Sequence, residues 1–226
     1  MEPREKRQQA VRDAKIDVIL KGAWDAFSKL GYHQTRLEDI ATAAGFSKTA
    51  LYYYYENKEE IFMDLVIREG GRVFENVKKR VNETDTTLDA FEQYARSVLA
   101  VFGEHFNLMM GMMDFEAGIP PNPAQFHNQK DKMASMKEIV NAFPALTTEV
   151  IRNGRRRREV SIELDDAVIS EYVNSILRGI MFRWCKNTKV DDVECEIDQF
   201  LTFLKPILKV DITTNKKQSN QIQEGK

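Results

Sequence analysis

Residues Thr35–Lys58 read TRLEDIATAAGFSKTALYYYYENK, and the spacing inside this stretch decides the fold. Leu37, Ile40, Ala41 and Ala44 fall on one face of a helix about two turns long. Thr35 is its candidate N-cap and Gly45 is placed to end it. Phe46 and then Ser47, a second candidate cap, open another short segment that runs to about Tyr55. Ahead of both, Ile16, Leu20, Ala23, Phe27 and Leu30 step by four, three, four and three, the pattern of a longer helix closed by Gly31. Two short helices joined at a Gly-containing turn and braced by a longer one describe a helix-turn-helix, whose second helix enters the major groove of DNA. Leu37, Ile40, Ala41, Phe46 and Leu51 are its expected core.

The rest of the chain reads as helix almost throughout. A long helix is expected from about Lys58, carrying Phe62, Val66, Val73, Val77 and Val81. Another spans about Leu88 to Glu104, followed by a Met-rich segment to about Ala117 and a Pro-rich loop at 119–123. Further helix is expected from about Ala124 to a break near Pro144, and again to about Arg158. Two amphipathic helices close the chain, with Ile169, Val173, Ile176, Leu177, Ile180, Met181 and Trp184 on one, and Val193, Ile197, Phe200, Leu201, Leu204 and Leu208 on the other. With no βαβ alternation, the expectation is an all-α chain of about nine helices. Residues 1–58 form a three-helix DNA-binding domain with a flexible N-terminal arm, residues 59–212 a larger ligand-binding and dimerisation domain, and residues 213–226 a flexible tail.

The start of the second short helix carries Ser47, Lys48, Thr49 and Ala50, whose side chains can reach base edges. Lys can donate to guanine acceptors, Ser and Thr can donate or accept, and the Ala methyl can pack on a thymine methyl. Four consecutive tyrosines follow, Tyr52 to Tyr55, and neighbours 100° apart cannot all be buried on one helix face. Tyr55 is expected in the core. Tyr53 and Tyr54 are expected on phosphate, with Lys58 and the free N–H end of its helix beside them.

Gly31-Tyr32, Thr35, Ile40-Ala41, Ala44-Gly45-Phe46-Ser47-Lys48 and Leu51-Tyr52-Tyr53-Tyr54-Tyr55-Glu56-Asn57-Lys58-Glu59-Glu60 together resemble the DNA-binding signature of the TetR family of transcriptional regulators. The signature covers about residues 10–65. The resemblance implies phosphate contacts at Thr35, Tyr53, Tyr54 and Lys58, and base or groove-edge contacts at Lys48, Thr49, Ala50 and Tyr52. It also implies a homodimer whose variable C-terminal domain binds a small ligand and controls the DNA-binding domain. Two positions depart from the family pattern. Where some members place a base-reading Arg, this chain has Glu38, which can accept from cytosine N4 or merely repel phosphate, leaving Arg36 to take part of that duty. Tyr54 stands where His is frequent.

The net charge of −2 argues against a uniformly basic nucleic-acid coat. Its distribution is uneven: residues 1–58 hold 10 Lys and Arg against 8 Asp and Glu, and the remainder hold 23 against 27. The hydrophobic share of 42% suits a folded core. Cys185 and Cys195 suit neither a disulfide framework nor a zinc site. No run of 18 apolar residues appears, so a cytoplasmic protein without a membrane segment is expected. Phosphate-loop, nucleophile-elbow, zinc-protease and dinucleotide motifs are missing from the chain, so an enzyme is not expected, nor a cofactor or metal.

Six of the nine methionines lie between 109 and 136. Flexible thioethers and aromatics suit either a pocket for a largely apolar effector or ordinary core. The candidate ligand residues are Phe102, His105, Phe106, Met109, Met110, Met113, Glu116, Met133, Met136 and Met181. Arg155 to Arg158 is expected at a solvated helix end. The closing helices suit a two-fold four-helix interface, with Ser175, Ile176, Gly179, Ile180, Phe200 and Leu204 as candidate dimer contacts. The overall expectation is a homodimeric repressor that binds a palindromic operator and is released by a small, largely apolar ligand. The rival is a helical ligand-binding or scaffold protein whose N-terminal segment docks on a protein, with Tyr52 to Tyr55 largely buried.

Overall fold

The computed structural model describes residues 3–116, 130–187 and 192–208. Every regular element among them is helical. The elements are α1 (Pro3–Leu30), α2 (Leu37–Ala44), α3 (Lys48–Tyr52), α4 (Lys58–Leu65), a π-helical turn (Val66–Gly70), α5 (Gly71–Asn82), α6 (Thr87–Glu104), α7 (Phe106–Glu116), α8 (Lys130–Arg156), α9 (Asp166–Asn187) and α10 (Val193–Leu208). Because the π turn joins α4 to α5 without a break, the described residues form nine continuous helical rods, the number expected. The unpatterned arm expected at the N-terminus is instead the opening of α1 from Pro3, whose charged side chains all face solvent.

The described residues fall into two compact units, one made of those within 3–75 and 101–142 and the other of those within 76–100 and 143–208. Compactness therefore groups the chain differently from a single cut at residue 58. In the first unit α1 supplies Ile19, Leu20, Ala23 and Phe27 to a core shared with Ile40, Leu51, Tyr55 and Phe62. Leu30, at the end of the predicted α1 face, is exposed instead. Phe62 stands edge-on to Phe27, with ring centroids 5.5 Å apart, and lies 4.6 Å from the Tyr32 ring.

Helix α2 begins one residue later than predicted, with Arg36 as its cap position. The Thr35 hydroxyl turns back to donate to Gly31 O at 2.7 Å, and Asp39 Oδ2 accepts from Arg36 N at 2.8 Å. Gly45 ends α2 in the left-handed region (φ 71°), which only glycine adopts cheaply, and Phe46 N donates back to Ala41 O at 2.8 Å.

Helix α8 runs unbroken through Pro144, contrary to the predicted break. The proline ring removes one backbone donor. Hydroxyls of Thr147, Thr148 and Ser170 donate to Pro144 O at 3.0, 2.9 and 2.8 Å, which ties the helix together at that point. The same hydroxyls belong to a buried network in which Asn174 donates to Thr147 and accepts from the Tyr94 phenol. Of the basic run, Arg155 is not a free helix-end cation. It donates to Asp166, Ile162 O and Leu164 O and so closes the following loop. The tail at 213–226 and the Pro-rich loop at 119–123 lie outside the described residues.

Candidate nucleic-acid interface

Ser47 caps α3, its hydroxyl accepting from Ala50 N at 3.1 Å. Leu51 is buried, which anchors this helix of five residues and turns Lys48, Thr49, Ala50 and Tyr52 outward. All four are exposed, as are Ser47 and Arg36. Tyr53 follows with 74% of its surface accessible. Tyr54 is half-buried, its ring edge-on to Phe46 at 5.9 Å and to Tyr53 at 5.2 Å. Tyr55 is buried, as expected of it. Its phenol donates to Asp64 at 3.0 Å, and burial, reinforced by the Asp64 carboxylate, pushes its pKa up.

Two expected phosphate contacts point the other way. Thr35 is buried and its hydroxyl is committed to the end of α1. Lys58 Nζ donates to Tyr32 O at 2.8 Å, His33 O at 3.2 Å and Thr35 O at 2.9 Å, and sits 4.8 Å from the Tyr32 ring centroid. An ammonium has three donors, so Lys58 closes the turn between α1 and α2 and has no donor left for a phosphate in this arrangement. Burial pushes its pKa down, against the raising effect of Glu59.

A cation that sequence reasoning overlooked lies where Lys58 was expected to act. The Arg12 guanidinium stands 5.8 Å and 5.5 Å from the ring centroids of Tyr53 and Tyr54. Lys15 stands 5.6 Å from Phe46. The signal was two α1 cations three residues apart, on one helix face. Lys48 also has an unforeseen partner, since its ammonium donates to the Glu38 carboxylate across the turn. Joint to α4, Lys132 of α8 reaches Glu60 at 3.0 Å and Asp64 at 2.9 Å.

The candidate ligand residues do not all come together. Phe102 and Phe106 stack edge-on at 5.5 Å across the α6–α7 junction, and His105 between them stands edge-on to Trp24 of α1 at 4.4 Å. Met110 is half-buried nearby in sequence. Met136 is a member of the first unit's core, and Met109 and Met133 are partly buried against it. Met181 belongs to the other unit. Met113 and Glu116 lie in the last turn of α7, with side chains outside the described part of the structure.

The predicted dimer face needs a similar correction. Ile180, Phe200 and Leu204 are buried within their own chain, because their helix faces are consumed in forming the core. Ser175 and Gly179 are exposed and Ile176 is half-buried. They lie on an apolar stripe of α9 formed with Val168, Tyr172 and Phe182, and Tyr172 is 61% exposed. Phe203 of α10 is exposed as well.

Among the described residues no helix is long and apolar enough to cross a membrane, and no group of three His, Cys, Asp or Glu side chains is placed to hold a metal.

Residues 19–65 match the family profile of the bacterial regulatory proteins, tetR family. The HTH-type transcriptional regulator RutR of Escherichia coli O157:H7 is 42% identical over 151 residues, which span 66% of this chain and 68% of that protein. RutR of Escherichia coli strain K12 is 42% identical over 96 residues, 42% of this chain and 44% of that protein. In three dimensions the fold is similar to the transcriptional regulator FadR of Bacillus subtilis, solved in complex with stearoyl-CoA. The TM-score is 0.67 at 18% identity, covering 83% of this chain and 96% of that one.

Proposed function

This chain belongs to the TetR family of transcriptional regulators, and from that premise we propose that it acts in the cytoplasm as a homodimeric repressor released from a palindromic operator by a small, largely apolar ligand. The observation that carries the reading is the exposed face of Ser47, Lys48, Thr49, Ala50 and Tyr52, flanked by Tyr53 under the Arg12 guanidinium. Side chains of α3 meet base edges while Tyr53 and Arg12 meet phosphate. The scaffold reading requires Tyr52 to Tyr55 to be largely buried, and Tyr52 and Tyr53 are the most exposed of the four.

Gel-shift titration with the DNA upstream of the protein's own gene tests this. A sequence-specific shift at moderate salt is expected, and its absence would sink the proposal. Arg12→Gln should weaken binding to every duplex alike and reduce the slope of log affinity against log salt by about 0.9, the value of one lost phosphate contact. Lys58→Gln, by contrast, should leave that slope unchanged.

For the dimer, the exposed stripe of Val168, Tyr172, Gly179 and Phe182, with Phe203, meets its two-fold copy in a four-helix arrangement. Tyr172→Glu would place charge in that apolar contact, so the protein should elute as a monomer at micromolar concentration and lose affinity for a two-half-site operator. Unchanged elution would reject the face.

The effector acts at the Phe102, His105, Phe106 and Met110 region of α6 and α7. Support comes from the packing of that region onto α1, through His105 on Trp24 and through Asn107 Nδ2, which donates to Ser28 O at 2.9 Å. A ligand that shifts α7 therefore shifts the helix bracing the reader, by as much as its affinity differs between the two arrangements. The FadR complex with stearoyl-CoA supports an effector that carries an apolar chain. Native mass spectrometry of the purified protein should reveal a bound apolar molecule, which should dissociate the DNA complex when added back.

A further inference from the structure

Glu38 and Lys48 come from different helices, ten residues apart in sequence, and meet on the exposed face beside α3. Each is 51% exposed at the side chain. The contact draws the Glu38 carboxyl below the ordinary carboxylate range, chiefly through the Lys48 hydrogen bond, and raises Lys48 in return. The Lys48 ammonium also stands 5.8 Å from the Tyr52 ring centroid. The reading face thus presents one acceptor beside one donor. An unpaired carboxylate on a surface that approaches phosphates would only repel them, and the pairing gives this one a chemical use.

In the major groove, cytosine N4–H donates beside guanine O6 and N7, which accept. N4 and O6 lie side by side because the bases pair through them, and N7 lies next to O6 on the guanine. An ion-paired carboxylate and ammonium, in contact at about 2.7–2.9 Å, is their complement. A T·A pair also sets a donor beside an acceptor, but it fits less well. There the carboxylate on adenine N6 would face the lone pair of N7, and the ammonium on thymine O4 would lie against the C5 methyl. A C·G pair offers the carboxylate no adjacent lone pair on its outer side and gives the ammonium two acceptors.

We infer that Glu38 and Lys48 act as one unit that reads a single C·G pair in each operator half-site, Glu38 accepting from cytosine N4 and Lys48 donating to guanine O6 and N7. The inference rests on the reading of this chain as a DNA-binding regulator and names a specificity determinant within it.

Selection from a randomised duplex library with the full-length protein and its Glu38→Ala and Glu38→Gln variants tests it. The unaltered protein should enrich C·G at one fixed position of each half-site. Glu38→Ala should keep the rest of the motif and lose the preference there, with discrimination against other pairs falling about tenfold or more. Glu38→Gln should move that position toward adenine, whose N6 and N7 suit a carboxamide. An unchanged motif in Glu38→Ala would overturn the inference, as would uniformly tighter binding with the same motif, which is what a carboxylate that only repels phosphate predicts. Failure of the unaltered protein to enrich any sequence would instead overturn the DNA-reading function and this inference with it.

Discussion

Gly22→Ala is expected to lower the melting temperature by about 4–10 °C and to abolish specific DNA binding near physiological temperature. Gly22 lies in the middle of α1, where replacing glycine by alanine ordinarily stabilises a helix by roughly 0.5–1 kcal/mol. Here α2 passes too close. A Cβ at position 22 would lie 2.6 Å from Ala44 N and 2.7 Å from Ala44 Cα. Those are backbone atoms at the end of α2, next to the Gly45 turn, so no side chain can swing aside. The helices must separate, and overpacking of that kind costs about 3 kcal/mol, more than the helix gain returns. For a chain of this size each kcal/mol moves the melting point by about 2–4 °C. Because α1 braces the two short helices, the displacement would be felt where Ser47 to Tyr52 present themselves. Thermal denaturation followed by circular dichroism decides the matter. A neutral or stabilising Gly22→Ala would mean that α1 and α2 do not approach this closely.

Lys58→Met should destabilise the protein by about 2–4 kcal/mol without changing the salt dependence of whatever DNA binding survives. The ammonium donates to three backbone carbonyls, at Tyr32, His33 and Thr35, that close the α1–α2 turn. Hydrogen bonds to a charged donor contribute roughly 1.5–3 kcal/mol each. Part of that is recovered when water reaches the His33 carbonyl, whose residue is exposed. Methionine keeps the apolar stem over Tyr32, so the substitution isolates the ammonium. A phosphate-binding lysine would behave in the opposite way, with an unchanged melting point and a salt slope reduced by about 0.9. Measured together, melting and salt titration separate the two roles.

Much of this protein was legible before folding. The periodicity of Ile16 to Phe27 and Leu37 to Ala44, and the glycine at 45, follow from short-range rules: side chains three or four residues apart share a helix face, and glycine alone enters the left-handed region cheaply. They placed the helix-turn-helix, the buried Leu51 and Tyr55, and the outward Lys48, Thr49 and Ala50. The predicted break at Pro144 did not occur: the ring removes only the N–H that would have reached the Val140 carbonyl, and the helix continues on both sides, with its own Thr147 and Thr148 and Ser170 of α9 donating to Pro144 O. The expected dimer residues Ile180, Phe200 and Leu204 failed for a different reason. Two apolar faces on one helix look alike in sequence, and only the structure decides which of them the chain's own core consumes.

The sequence by itself determined the all-helical class, the position of the reading helix and the residue types at its N-terminal end, because each depends on spacings within a turn or two of helix. Only the tertiary structure decided what the polar groups of the reader do. Lys58 and Thr35 face inward onto backbone carbonyls, Arg12 arrives from α1 to cover Tyr53, and Lys48 meets Glu38 across the Gly45 turn. A polar or charged side chain is assigned its partner by whichever donor, acceptor or aromatic ring the folded backbone brings within reach, and for these residues that partner lies 4 to 41 positions away in the chain.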